Sequence, residues 1–338
     1  MNDRDHRRLP ADVAALAREL APEIATLPRL SRVVDRFLQD AGRDTASAAD
    51  FAAALELDPT LRGWVLRQAN SGFANLQRPV ASVAEACVVV GLEPLSRLVY
   101  AACTRDLLDH RLLRYPFTRG GFWLHALAVG MAARRLAVRL GATAPLGAEE
   151  AMVAGLLHDV GKLLLDPRLP QAAAGATPAS ERRHTGIDHG LLSAAVMRAW
   201  ELPPRPVAAV AAHHAPAPGP AGRLIATADR LIRHWGVGQH PYAATDEPAP
   251  LDDLADLAAP LSADADLLQR WCKEMPPLID GLQELVRALG HGIPPELPDG
   301  EPAVVDPASA AMASRRVARR RRAEGRAPGR RRDRHRGR

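Results

Sequence analysis

Residues 151–165 read Ala151-Met152-Val153-Ala154-Gly155-Leu156-Leu157-His158-Asp159-Val160-Gly161-Lys162-Leu163-Leu164-Leu165. The run is apolar enough to predict a helix in a protein core, yet an imidazole and a carboxylate sit side by side inside it. Burying such a pair is costly unless something satisfies both groups. A divalent cation would, because imidazole nitrogen and carboxylate oxygen are both ligands for first-row metals. Lys162 follows a turn later, suited to an anionic ligand such as phosphate. A plainer reading also stands: a capped helix end, with His158 and Asp159 bonded to backbone and Gly161 closing the helix.

Outward from this stretch the same oddity recurs. His125 lies upstream; His189, the pair His213-His214 and Asp229 lie downstream, each in a helical stretch among small or apolar residues. One core histidine needs no explanation, but several on apolar helical faces point to convergence on one site. Local alternatives exist for each: His125 near a helix start can bond a carbonyl, and Asp229 can pair with Arg230 or Arg233. Adjacent helical residues point about 100° apart, so His213 and His214 supply one strong ligand between them unless two ions are bound.

Composition narrows the fold. Apolar residues make up 47% of the 338 but aromatic ones only 4%, which favours an all-α fold packed through Ala, Leu and Val over a β-sandwich. No apolar run is long enough for a membrane span, and the start Met1-Asn2-Asp3-Arg4-Asp5 lacks the apolar core of a secretory signal. Cys87, Cys103 and Cys272 are scattered and without metal spacing, as expected of reduced thiols. These features predict a cytoplasmic protein with no membrane contact. The net charge of +5 comes from the end of the chain. Residues 315–338 hold 13 Arg against Glu324 and Asp333, a local +11, which leaves −6 on the rest. This Arg-rich tail is expected to be disordered and suited to weak, non-specific nucleic-acid contact through phosphates.

Apolar spacing, prolines and glycines predict helices over 11–20, 27–38, 45–57, from Pro59 toward Gly72, and over 80–90, 93–108 and 122–140. Further helices follow over 180–200, from Pro204 to His213-His214, over 223–235, and once or twice within 251–289. Pro116 with Gly120-Gly121 marks a joint. The resulting division is an extension (1–26), an N-terminal helical subdomain (27–115), a second helical subdomain holding the histidines (116–236), a linker with C-terminal helices (237–307) and the tail (308–338). No His, Cys or paired carboxylates cluster in 27–115, so that subdomain is expected to serve packing or recognition.

The order His125…His158-Asp159…Asp229 resembles the HD superfamily, whose metal-binding pattern is His…His-Asp…Asp. Two further series sharpen the likeness. One is Leu27-Pro28…Asp58-Pro59-Thr60-Leu61…Leu66-Arg67-Gln68-Ala69-Asn70-Ser71…Val83…Ala86…Gly91-Leu92. The other is Glu181…Gly186-Ile187-Asp188-His189…Trp200-Glu201-Leu202-Pro203. Together they resemble the HDOD family, the HD-related output domain of bacterial signalling proteins, over roughly residues 27–235. The resemblance implies a multi-helix HD-like bundle with an N-terminal helical subdomain and a role as a regulatory output module with a protein partner. It also implies a divalent ion (Mn, Fe, Mg or Zn) held by His125, His158, Asp159 and Asp229, with His189 and His213 or His214 adding ligands for a second. Related HD-GYP phosphodiesterases carry a Gly-Tyr-Pro motif, whereas His213-His214 is followed here by Ala215-Pro216-Ala217-Pro218-Gly219-Pro220, which argues against cyclic-di-GMP hydrolysis. The other reading is a metal-dependent phosphohydrolase acting on a nucleotide or phosphodiester, with Asp159 and Lys162 as its catalytic residues.

Overall fold

The computed structural model describes residues 11–28, 48–56, 58–71, 78–170, 175–239, 261 and 265–289. The helix expected over 27–38 lies almost wholly outside them, as do Gly72, residues 240–260 and the Arg-rich tail. Among the described residues the chain is helical, with a single antiparallel bridge between Phe117 and Gln239. No helix among them is long and apolar enough to cross a membrane.

In the N-terminal part, α1 (Ala11–Glu19) and α2 (Ala21–Ile24) precede α3 (Ala48–Leu55), α4 (Pro59–Ser71), α5 (Val83–Val90) and α6 (Leu92–Leu108). Helix α4 starts where Pro59 suits the first turn, and Asp58 accepts a hydrogen bond from Leu61 N–H at 3.0 Å. Ser82 caps α5, and Gly91, at φ +91°, ends it. Asn70 serves the fold directly. Its Oδ1 accepts from Val80 N–H at 2.8 Å while its Nδ2 donates to Val80 O at 3.1 Å and Leu66 O at 2.8 Å. Asn70 of the motif therefore clips the approach to α5 onto the end of α4. Helices α3 and α4 pack on α5, and α6 carries the group onto the rest of the molecule.

The second part is built on α7 (Gly121–Leu140), whose apolar first two-thirds are buried almost throughout, as a stretch apolar on all sides must be. Helices α6, α8 (Ala148–Leu157), α13 (Pro220–His234) and α14 (Ala265–Leu289) all pack against it. The tightest crossing is α7 on α8. A Cβ on Gly155 would lie 2.8 Å from Gly130 Cα and 2.9 Å from Val129 O, so glycine on both helices lets the two backbones touch. That contact sets His125, one turn before Gly130, against His158, just past the end of α8. Helix α14 is tied down by Trp271 Nε1, which donates to Ala132 O at 3.1 Å, and by Arg139 with Glu274.

Between these helices run α9 (Lys162–Leu165), α10 (Pro178–Thr185), α11 (His189–Ala199) and α12 (Pro204–Ala212). Several expectations need correction. The run 151–165 is not one helix: α8 stops at Leu157 and a turn carries His158–Gly161 into α9. Gly161 is not a left-handed cap. Its φ is −61°, and its missing Cβ leaves room for α11, since an added Cβ would sit 2.6 Å from His189 O and 2.7 Å from Ser193 N. Likewise 180–200 is two helices, broken where Gly186 takes φ +83° and Asp188 caps α11 by accepting from Leu191 N–H at 3.0 Å. Helix α13 begins at Pro220, three residues before the start expected at 223, because proline suits a first helical turn.

A buried histidine and aspartate centre

The polar residues read from the sequence come together. His125 descends from α7, His158 and Asp159 occupy the turn after α8, His189 opens α11, His213 and His214 follow α12, and Asp229 lies in the middle of α13. His125, His158, Asp159, His189, His213 and Asp229 are all buried, with His158 at 0% exposure; His214 and Lys162 are half-buried.

Two sub-clusters share a middle. His125 Nε2 is 3.2 Å from Asp229 Oδ1 and 3.7 Å from Asp159 Oδ2. His158 Nε2 is 3.4 Å from Asp159 Oδ2 and 3.5 Å from Asp229 Oδ1. On the other side, His189 Nε2 is 3.0 Å from Asp159 Oδ1 and 2.7 Å from His214 Nε2. The rings of His213 and His214 have centroids 3.9 Å apart. Three sets of side chains each present donor atoms within 4.8 Å of one another: His125, His158 and Asp229; His158, Asp159 and His213; His189, His213 and His214. His213 and His214, just past the end of α12, both contribute donor atoms to the cluster.

The protonation pattern follows from the outer partners. A carbonyl oxygen only accepts, so His158, with Nδ1 2.7 Å from Gly155 O, and His213, with Nδ1 2.6 Å from Val210 O, donate through Nδ1–H. Each neutral ring then turns an Nε2 lone pair inward. Both of these nitrogens, together with Asp229 Oδ1, are buried without a hydrogen-bond partner. Burial pushes the His213 imidazole down to about 3. Burial also lowers His125 and His214. Against burial, Lys162 and His189 hold the Asp159 carboxyl well below the usual range, and His125 and Arg233 do the same for Asp229. His189 is raised, because Asp159 and Glu181 outweigh burial and Lys162. Lone pairs and ionised carboxylates thus face one another in a dry space, where unpaired polar atoms are expensive. A divalent cation satisfies them all, so the residues fit a metal.

Lys162 Nζ is 2.5 Å from Asp159 Oδ2 and sits 5.2 Å and 5.3 Å from the ring centroids of Tyr115 and Phe117. Asp229, buried, has Arg233 no nearer than 3.9 Å, so the surface salt bridge allowed by the sequence is not its environment. Two participants were missed. Glu181, at 0% exposure, binds His189, and Tyr115 binds Glu181. Glu181 stood in the quoted Glu…Gly…Asp-His run, which was the available signal; Tyr115 carried none.

The structure is similar to solved helical proteins over most of their length. One is an HDOD domain protein of unknown function from Geobacter sulfurreducens, with 23% identity, covering 82% of this chain and 97% of that one at a TM-score of 0.57. A second is a provisionally named phosphohydrolase from Shewanella amazonensis SB2B, with 22% identity, 82% and 100% coverage and a TM-score of 0.56. A third is a provisionally named signal transduction protein from Marinobacter aquaeolei VT8, with 20% identity, 85% and 68% coverage and a TM-score of 0.56. These likenesses show the fold. No curated protein matches the chain. The HDOD domain profile matches residues 27–216, more than half of the sequence. On that match the chain belongs to the HDOD domain family.

Proposed function

We propose that this protein is a regulatory output module of the HDOD kind, organised around a divalent-metal centre. The observation that carries the reading is the set of buried, partnerless acceptors: His158 Nε2, His213 Nε2 and Asp229 Oδ1. In this assignment His125, His158, Asp159 and Asp229 hold one ion, and His189, His213 and His214 hold a second, with Asp159 between them. Five imidazoles among the donors favour Fe, Mn or Zn over Mg, which prefers oxygen ligands. Nearly complete burial suits a closed, structural centre better than one with an open coordination position. Residues 27–115 then form the recognition subdomain for a signalling partner, and 116–236 the metal-bearing subdomain.

The test is calorimetric. The full chain, stripped of metal and titrated under anaerobic conditions with Fe²⁺, Mn²⁺ and Zn²⁺, should bind at least one of them tightly and stoichiometrically. Absence of binding by all three would overturn the reading.

A second reading is supported by Lys162 and His214, which are only half-buried and border the centre. It is also supported by the provisional phosphohydrolase name of the Shewanella relative. When bound, a divalent ion lowers the pKa of water and so supplies a nucleophile for a phosphorus centre. Lys162, beside Asp159, would then neutralise charge on a phosphoryl oxygen of a nucleotide or phosphodiester. Hydrolysis of bis(p-nitrophenyl) phosphate by the metal-loaded chain, abolished in Asp159→Ala, would promote this reading over the first. The lack of Gly-Tyr-Pro after His214 argues against cyclic-di-GMP as that substrate.

A further inference from the structure

Glu181 is a fully buried carboxylate that borders the centre but faces away from it. Its Oε2 accepts the backbone N–H of His189 at 2.7 Å, and both of its oxygens stand 2.8 Å from His189 Nδ1. Tyr115 Oη donates to Glu181 Oε1 at 2.9 Å. A purely structural explanation is that Glu181 caps the start of α11, but Asp188 already does so through Leu191 N–H. Capping also gives no reason for the bond to the imidazole ring. A carboxylate only accepts, so Glu181 fixes the proton of His189 on Nδ1. That leaves Nε2, 3.0 Å from Asp159 Oδ1 and 2.7 Å from His214 Nε2, as the ring atom His189 can offer to an ion. Histidines that ligate metals are held this way by an outer carboxylate, which sets both tautomer and ring orientation.

We propose that Glu181, braced by Tyr115, is the positioning residue for the His189 side of the centre, the side made of His189, His213 and His214. The inference rests on the metal reading above. Tyr115 lies in the joint between α6 and α7, and the same joint is pinned by Leu113 and Arg114 N–H to Asp166 at 3.0 Å and 2.7 Å. The orientation of His189 is therefore tied to the segment that connects the two helical parts.

The experiment is a Co²⁺ titration of the metal-stripped full chain, read by visible absorption and by calorimetry, for wild type, Glu181→Gln and Tyr115→Phe, with folding checked by circular dichroism. A glutamine can accept from the ring or from the backbone N–H but brings its own donor against one of them. Glu181→Gln is expected to weaken Co²⁺ binding roughly tenfold to a hundredfold and to alter the Co²⁺ spectrum. Tyr115→Phe should show the same change in smaller degree, and it carries the test if Glu181→Gln does not fold. A merely structural Glu181 would lower the melting temperature while leaving affinity and spectrum unchanged. Folded Glu181→Gln that binds Co²⁺ like wild type, or Tyr115→Phe that does so where Glu181→Gln does not fold, overturns the inference and leaves the metal reading standing. A wild type that takes up no Co²⁺ overturns both.

Discussion

His158 Nε2 and Asp229 Oδ1 lie 3.5 Å apart, both buried and neither hydrogen-bonded. The His158 ring gives its proton to Gly155 O, so nothing lies between the two atoms to bring them together. Burial of two acceptors face to face is unfavourable in the metal-free chain and favourable once a cation stands between them. His158 also belongs to two of the three donor sets. Replacement by alanine should therefore weaken metal binding by more than the roughly hundredfold loss typical of an outer-sphere change, with the helical circular dichroism retained. Calorimetric titration checks this.

Metal should also stabilise the fold. A ligand that binds only the native state adds about 2.7 kcal/mol when present at about a hundred times its dissociation constant. The melting temperature is expected to fall when a chelator is added and to recover with Fe²⁺, Mn²⁺ or Zn²⁺, as thermal denaturation followed by far-ultraviolet circular dichroism would show. The response should be smaller in Asp229→Ala.

The crossing of α7 and α8 gives a prediction about packing. Gly155→Ala gains about 0.5–1 kcal/mol of intrinsic helix preference. The new methyl, however, meets backbone atoms of Gly130 and Val129 at 2.8–2.9 Å, and backbone cannot turn aside. Overpacking of this kind costs about 1–3 kcal/mol, so net destabilisation is expected in urea unfolding. Because the crossing spaces His125 from His158, metal affinity should drop with it. An alanine that stabilised the chain would show that the helices are not in contact there.

Most of the site was legible because its residues violate their surroundings. His125, His158 and Asp229 stand on apolar faces where periodicity asks for Leu or Ala, and that contrast survives without any knowledge of the fold. Glu181 offers no such contrast. It is followed by Arg182, Arg183 and His184 on a polar helix and reads as solvated; only packing against Tyr115, far away in sequence, buries it. The break between α10 and α11 was readable locally, since Gly186 and Asp188 are a helix stop and a helix cap in succession. Gly161 misled for a related reason: glycine marks a cap or a close approach equally well, and only the position of α11 decides between them.

Asp166 supplies a test of the joint that leaves the centre's own residues untouched. Its carboxylate holds the N–H groups of Leu113 and Arg114. Asp166→Ala leaves both without that acceptor, which should lower stability by about 1–3 kcal/mol. Denaturant midpoints compared with wild type measure it, and an unchanged midpoint would show that water replaces the carboxylate.

The central claim is that the buried imidazoles and carboxylates form a metal centre, and counting ions tests it most directly. Wild type and His158→Ala, each stripped, reloaded under anaerobic conditions with Fe²⁺, Mn²⁺ or Zn²⁺ and desalted, are compared by elemental analysis per folded chain. The account predicts one to two ions retained by wild type for at least one metal, and a clear deficit in His158→Ala. No retained ion in wild type, or equal retention in both, would contradict it.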